Sequence, residues 1–405
     1  MKKATTGNAG PKVRSDVELT LEIKSSGGIH LEISSKVMSM YGNAIEKQCR
    51  ELLAFFGIEN AIMQLNDSGA LPFVIAARVE AAVRALTGTE KSFLPEMIDE
   101  NRYVSSRDRY RFSRLYLPGN SPGMFLNAGL HSPDGVILDL EDSVAPERKD
   151  EARILVRNAL RAVNFYGAER MVRINQGDRG LEDLIHVIPH NVHLILIPKC
   201  ESADTVRRVD NRINNIKAEA GIMNEVFLMP IIESAAGVER AFDIATASPS
   251  VVAMAIGLED YTADIGVQRT KEGAESLYAR NRLVVASKAA GIQPIDSVFS
   301  DVADMEGLLE NVLRSKAMGF EGMGCIHPRQ IAVIRKGFSP SFDEIDKAKK
   351  IVMAYREAQK KGLGVVALGS KMIDAPVVAR AGKTIDLAVR LGLLPGNWEE
   401  EATME

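Results

Sequence analysis

The chain has 405 residues, of which 46% are hydrophobic and 26% charged, with a net charge of −4; these are the proportions of a soluble globular protein with room for one large and one small domain. The mild acidity, pI near 6.0, excludes the basic footprint of a nucleic-acid binder, and no apolar run approaches the roughly 18 residues of a membrane helix. Cys49, Cys200 and Cys325 lie far apart without a CxxC pair, which argues against a disulfide framework or structural zinc and for a reducing, cytoplasmic setting; the start, MKKATTGNAGPKVRSD, lacks the apolar core of a secretory signal.

Residues 1–88 read as a first unit. Val17–Ile23 and Gly28–Ile33 alternate apolar and polar residues, and Lys24-Ser25-Ser26-Gly27 between them has turn composition, so a hairpin is expected. A helix follows from Val37 to Phe56, with Met40, Tyr41, Ile45, Cys49, Leu52 and Leu53 mostly three or four apart and Gly57 closing it. A strand at Ala61–Leu65, a turn at Asn66–Gly69 and a helix over Ala70–Leu86 complete a small α+β domain. Residues 89–112 are charged and aperiodic, and read as a linker.

From Ser113 the pattern becomes strand–helix alternation. Candidate strands are Arg114–Pro118, Gly135–Leu140, Met171–Ile174, Val192–Pro198, Glu225–Ile232, Val251–Gly257, Pro294–Phe299 and Gly319–Ile326. Helices are expected between them at Arg148–Ala162, Ala203–Ala220, Gly237–Thr246, Ala274–Ala290 and Met305–Met318. Such alternation predicts an α/β fold, a closed (β/α)₈ barrel over residues 113–340. Residues 341–405 form a C-terminal helical extension with helices at Phe342–Leu363 and near Gly382–Leu391, ending in an acidic tail expected to fray.

Catalytic groups of a (β/α)₈ barrel sit at the C-terminal ends of its strands. Those ends carry Asn120; Asp139, Glu141 and Asp142; Arg173 and Asn175; Lys199 and Glu201; Glu233; Glu259 and Asp260; Asp296; and His327. Any one of them is as readily a solvated strand end; the set is better explained by a shared polar pocket. Glu233 and Asp260, hard oxygen donors ending neighbouring strands, suit an octahedral Mg²⁺ that keeps waters and completes its shell from substrate. Arg173 is a planar fork suited to a carboxylate; its bland reading is a structural salt bridge. A metal with an arginine would hold an α-keto or α-hydroxy acid such as oxaloacetate. The glycines of LPGNSPG, around Asn120, offer backbone N–H groups to a phosphate, a weak signal alone. His186, His190 and His193 read as surface or packing histidines, and His30 needs no role.

Residues 113–376 resemble the beta subunit of citrate lyase and the citramalyl- and malyl-CoA lyases, an HpcH/HpaI aldolase-like barrel. The motifs are RLYLPGN, ILDLEDSV followed by KDEAR, VRIN, IPKCES, MPIIESAAG, AIGLEDYTADIG, GFEGMGCIHPRQI and KMIDAPVV. The resemblance implies Mg²⁺ on Glu233 and Asp260, and the keto-acid carboxylate on Arg173. It also implies substrate contacts from Arg114 and Asn120, and support for the metal waters from Asp139, Glu141 and Asp142. Asp374 of MIDAPVV would be an acid/base donated to a neighbouring subunit, its bland reading being an N-terminal helix cap. Residues 9–86 resemble the gamma subunit, or acyl carrier protein, of citrate lyase through AG…SDVEL, SSGGIHLEI, MYGNAI, GIENA and DSGALPFVIAARVEAAV. That family carries phosphoribosyl-dephospho-CoA on a serine. The modified serine falls on Arg14 here, and Ser15, one place later, is the close candidate.

Together the resemblances imply a fused carrier and lyase. A base would take the tertiary hydroxyl proton of a citryl thioester, giving a keto acid and an acetyl thioester. The partners implied are an acyl-thioester substrate, a citrate lyase alpha (transferase) subunit to load the arm, and further copies of the chain in a trimer-based oligomer. The alternatives are a stand-alone citramalyl-CoA or malyl-CoA lyase with a vestigial carrier, and a non-catalytic carrier scaffold.

Overall fold

A computed structural model describes residues 3–369 and 371–399. The chain divides into two compact units, Met1–Ile331 and Ala332–Glu405.

The first unit opens with β1 (Lys3–Thr6), β2 (Val17–Ile23), β3 (Ile29–Ser35), α1 (Met38–Phe55), β4 (Ala61–Asp67) and α2 (Pro72–Thr87). The sheet order is β1-β2-β4-β3, so the expected hairpin does not form. β4 lies between its two arms, antiparallel to β2 and parallel to β3. The reason is the β3–α1–β4 crossover, which makes β4 the parallel neighbour of β3. Lys24–Gly28 therefore spans two strand spacings of about 4.8 Å each rather than making a tight turn. Ile45, Cys49, Leu52 and Leu53 of α1 bury their stripe against Leu19, Leu21, Met63 and Leu65 of the sheet.

Helix α2 is buried at every position from Phe73 to Val83, charged residues included, because it is covered on two sides. One side meets the sheet and the other meets α4 (Lys149–Ala162) of the barrel. Arg78 binds Asp16 through Nε and Nη2 at 3.0 and 2.9 Å, and its Nη1 lies 3.5 Å from Glu151. Glu151 also accepts the Gly7 N–H at 2.9 Å.

Residues 89–112 are not a free tether. Arg161 Nε donates to the Pro95 carbonyl, Asn101 Nδ2 to the carbonyls of Leu160 and Val163, and Asn191 Nδ2 to that of Tyr103. Arg111 pairs with Glu169 at 2.7 Å, both fully buried. A charged, aperiodic stretch gives no core signal, yet it is fastened by side-chain hydrogen bonds running both ways between it and the barrel.

The barrel then runs β5 (Ser113–Pro118), α3 (Pro122–Phe125), β6 (Gly135–Asp139), α4, β7 (Glu169–Arg173), α5 (Gly177–Val187), β8 (Leu194–Ile197), α6 (Ala203–Ala220), β9 (Phe227–Ile232), α7 (Ala235–Glu239), α8 (Ala241–Ala245), β10 (Ala253–Ile256), α9 (Leu258–Asp264), α10 (Leu277–Ala289), β11 (Gln293–Ile295), α11 (Met305–Met318) and β12 (Met323–Cys325). Eight parallel strands follow the order β11-β10-β9-β8-β7-β6-β5-β12, and a parallel bridge between Asp296 and Met323 closes the ring. Ile137, Met171, Leu194, Leu196, Met229, Ile231, Ala255 and Ile295 pack in its interior. His186 lies on α5, a helix not read from the sequence. His190 and His193 are buried; Nδ1 of His193 accepts the Arg170 N–H at 3.1 Å and Nε2 faces the Tyr103 carbonyl at 3.0 Å.

Helix α12 (Arg329–Phe338) joins the barrel to the second unit, which contains α13 (Phe342–Lys360), β13 (Val366–Leu368), β14 (Lys371–Ile373) and α14 (Ala375–Arg390). Ile351, Val352, Ile373, Ala381, Ile385 and Trp398 form its core. Trp398 thus corrects the expectation of a frayed tail: its indole is buried, whatever the acidity of its neighbours. Residues 400–405 lie outside the described residues.

Candidate active site

A strand's side chains alternate between faces, and that period fixes which polar residues enter the barrel. Ile137 and Met171 point inward, so Asp139 and Arg173, two residues on, do also. The same step leads from Ile231 to Glu233 and from Ala255 to Gly257. All six of Arg114, Asp139, Arg173, Glu233, Gly257 and Asp260 line one cavity of about 370 Å³. Its mouth lies at the C-terminal ends of the strands.

Glu233 is buried, and burial lifts its carboxyl to about 7. Oε2 accepts the backbone N–H of Lys199 at 2.7 Å. Gly257 makes room for this carboxylate: a Cβ there would stand 2.4 Å from Glu233 Oε1. Lys199 itself holds φ at 45°, a left-handed conformation that strains a residue with a side chain. Its ammonium sits 3.5 Å from Glu141, 3.2 Å from Asp142 and 3.5 Å from Asp260. Burial acts to lower its pKa, but the Asp142 hydrogen bond and the surrounding carboxylates hold it above the usual lysine value. Those oxygens already collect a cation, so the donor set suits a hard one. Among the described residues no three His, Cys, Asp or Glu side chains gather into a metal cage. Two protein carboxylates with water and substrate oxygens are the pattern of Mg²⁺.

Arg173 is more committed than a free carboxylate clamp. Nε and Nη2 bind the two oxygens of Asp139 at 2.6 and 2.7 Å, and Nη1 lies 3.1 Å from Glu141. Of five guanidinium N–H donors, two remain for a ligand. The guanidinium also lies 5.4 Å from the centre of the Tyr116 ring. Burial opposes its charge, but Asp139 and Glu141 hold its pKa above the ordinary arginine value.

The other expected residues fall elsewhere. Asn120 borders a neighbouring cleft, formed between the β5–α3 loop and residues 8–16, and its carbonyl accepts from Arg78 Nη2 at 3.2 Å. A Cβ on Gly123, in the first turn of α3, would stand 2.7 Å from the Arg14 carbonyl, so the two segments touch. Ser15 follows at φ 56°, with its N–H bonded to the Ser68 carbonyl at 3.0 Å. Asp374 belongs to the second unit, where its side chain caps α14 by accepting the Val377 N–H at 3.2 Å. Asp296 does line the same cavity, with its carboxylate held by Arg280 and Ser315. Sequence reasoning missed Tyr116 and Gly257, which the two-residue period marks as inward, and the role of Lys199, whose backbone conformation has no sequence signal.

Residues 113–328 match the family model described as HpcH/HpaI aldolase/citrate lyase. The chain belongs to that family. Residues 3–86 match a carrier-protein model described as malonate decarboxylase delta subunit, in keeping with the carrier resemblance. The chain is 37% identical over 286 residues to citrate lyase subunit beta of Leuconostoc mesenteroides subsp. cremoris, covering 70% of this chain and 95% of that protein. It is 32% identical over 336 residues to the mitochondrial citramalyl-CoA lyase of Homo sapiens, covering 80% and 99%. The family's solved structures include the protein CitE from Mycobacterium tuberculosis in complex with magnesium, acetoacetate and coenzyme A. It superposes with a TM-score of 0.58 at 31% identity, covering 70% of this chain and 99% of that one. No helix among the described residues is long and apolar enough to cross a membrane.

Proposed function

We propose that this chain is a Mg²⁺-dependent carbon–carbon lyase, cleaving a citryl thioester on CoA or an acyl carrier to oxaloacetate and an acetyl thioester. The observation that carries this reading is the convergence of Glu233, Asp260 and Arg173 on one cavity of a barrel of this family. Glu233 and Asp260 would hold the metal. Bound Mg²⁺ supplies Lewis-acid polarisation of the oxygen on the carbon being released. The two free N–H donors of Arg173 orient the keto-acid carboxylate, and Asp139 and Glu141 keep the guanidinium from rotating. Loss of the hydroxyl proton breaks the bond between the carbinol carbon and the thioester α-carbon, and the resulting enolate is protonated at carbon. Fixed donors at such developing charge contribute ~3–4 kcal/mol each. Asp374 of a neighbouring copy is the acid/base in this reading, which makes the protein a homo-oligomer, with trimers as its unit.

The carrier domain bears phosphoribosyl-dephospho-CoA on Ser15, beside the barrel mouth, and a cytoplasmic transferase (alpha) subunit loads it. The stand-alone reading, a citramalyl-CoA or malyl-CoA lyase, is favoured by the half-buried, backbone-tied setting of Ser15. Mass spectrometry of protein from its native host separates them: an adduct on Ser15 supports the complex, and an unmodified Ser15 the stand-alone enzyme. The lyase itself is tested by Mg²⁺-dependent release of oxaloacetate from citryl thioester. Glu233→Ala or Asp260→Ala should abolish it; undiminished cleavage would remove these residues from the site, and no thioester cleavage by wild type would leave a carrier scaffold.

A further inference from the structure

Arg114, Tyr116 and Pro118 are alternate residues of β5, and all three line the cavity, with Arg114 deepest along the strand. Arg114 is 1% exposed. Its Nε has no hydrogen-bond partner, and Nη1 meets only the thioether of Met229 at 2.9 Å, a weak acceptor without charge. Three other buried arginines are neutralised, Arg78 by Asp16, Arg111 by Glu169 and Arg157 by Glu80; Arg170, also buried without an ion pair, does not line the cavity and has its guanidinium over the Tyr103 ring and bonded to His193. Arg114 forms no ion pair with any described residue. Of the two cationic residues lining the cavity, Arg173 meets two carboxylates and Arg114 none.

A buried guanidinium without an anion is strongly unfavourable. Burial lowers its pKa only to about 10, so it stays a cation at neutral pH. Space reaches it because the residues facing the cavity from β10 and β12 are small, Ala255 and Gly324; a Cβ on Gly324 would stand 2.8 Å from Val298 and 3.1 Å from Tyr116. The floor of this cavity is therefore a positive site without a protein counter-ion, beneath a mouth that is rich in carboxylates.

We propose that Arg114 is a specificity-determining residue that receives a second carboxylate of the substrate, remote from the one at Arg173. The leaving keto acid is then a dicarboxylate, and the carbinol carbon bears a carboxymethyl group rather than methyl or hydrogen. This rests on the lyase reading, and deepens it by assigning the residue that would select the citryl group over citramalyl and malyl. The distal carboxylate enters as the missing counter-ion, whereas a methyl group at the same place leaves the guanidinium desolvated and unpaired. Such a site rejects the analogue lacking its polar partner.

The test compares citryl-, citramalyl- and malyl-CoA with wild type, Arg114→Met and Arg114→Lys. Wild type should prefer citryl-CoA, and the ratio of kcat/KM for citryl over citramalyl should fall at least ~100-fold in Arg114→Met, with partial recovery in Arg114→Lys. Equal losses on all three substrates, or a wild-type preference for citramalyl-CoA, would overturn the assignment. A second measurement needs neither turnover nor a variant. In calorimetry at saturating Mg²⁺, wild type should bind oxaloacetate at least ~10-fold more tightly than pyruvate, and equal affinities refute the proposal. If no thioester is cleaved, the lyase reading fails, while the calorimetry still decides on Arg114.

Discussion

Arg157 on barrel helix α4 forks onto both carboxylate oxygens of Glu80 on carrier helix α2, Nη1 to Oε1 at 2.8 Å and Nη2 to Oε2 at 2.7 Å. Both side chains are fully buried, and Glu80 also accepts from Arg84 Nε and the Phe93 N–H. This pair fastens carrier to barrel, with charges that have no solvent to fall back on. Removing one partner strands the other, which costs about 3–5 kcal/mol. Glu80→Ala or Arg157→Ala should each lose that much in guanidinium chloride unfolding. The double variant Glu80→Met/Arg157→Met should lose far less than the sum. Additive losses would mean that the two groups do not depend on each other.

Gly257 should prove to be a metal-site residue without touching metal. Its φ of −108° admits alanine, but the new Cβ must displace the Glu233 carboxylate, 2.4 Å away. Mg²⁺ affinity in calorimetry should fall by at least ~10-fold in Gly257→Ala, with destabilisation within the ~1–3 kcal/mol of a local overpacking. Unchanged affinity would show that Glu233 can bind metal from another position.

The Lys199 ammonium lies 3.5 Å from Asp260, one of the two carboxylates that would receive Mg²⁺, and beside Glu141 and Asp142. A second cation beside Asp260 is repelled by the ammonium there, so the lysine opposes metal binding. Lys199→Met should therefore bind Mg²⁺ more tightly by roughly tenfold, the scale of one partly screened charge contact. Weaker binding in the variant would make the lysine a support of the metal rather than its competitor.

Two buried histidines should make the fold acid-sensitive. Burial and neighbouring arginines push His190 and His193 down to about 3, against about 6.5 in an unfolded chain. Below pH 6.5 the unfolded state takes up protons that the folded state refuses, so stability falls as pH drops from there towards 3 and is flat above. The loss is on the order of 2 kcal/mol per histidine by pH 5. Urea unfolding at pH 7 and pH 5 measures it, and His193→Gln should remove its share of the difference. A pH dependence identical to wild type would contradict a neutral His193.

Much of this molecule is legible in its sequence because two periodicities are strong. The eight barrel strands and most of their helices follow from apolar runs alternating with amphipathic ones. Asp139, Arg173, Glu233 and Asp260 follow from lying where those runs end. Residue type and strand position determine that hard oxygen donors and a guanidinium reach one mouth. Tertiary structure decided what local pattern cannot encode, because the deciding partners are distant in the chain. It placed β4 between β2 and β3, since the α1 crossover takes the inner edge of β3. It secured residues 93–111 to the barrel by side-chain hydrogen bonds, and closed Arg173 onto Asp139. It also left Arg114 buried with no anion beside it, a fact about neighbours that an arginine in a strand does not announce.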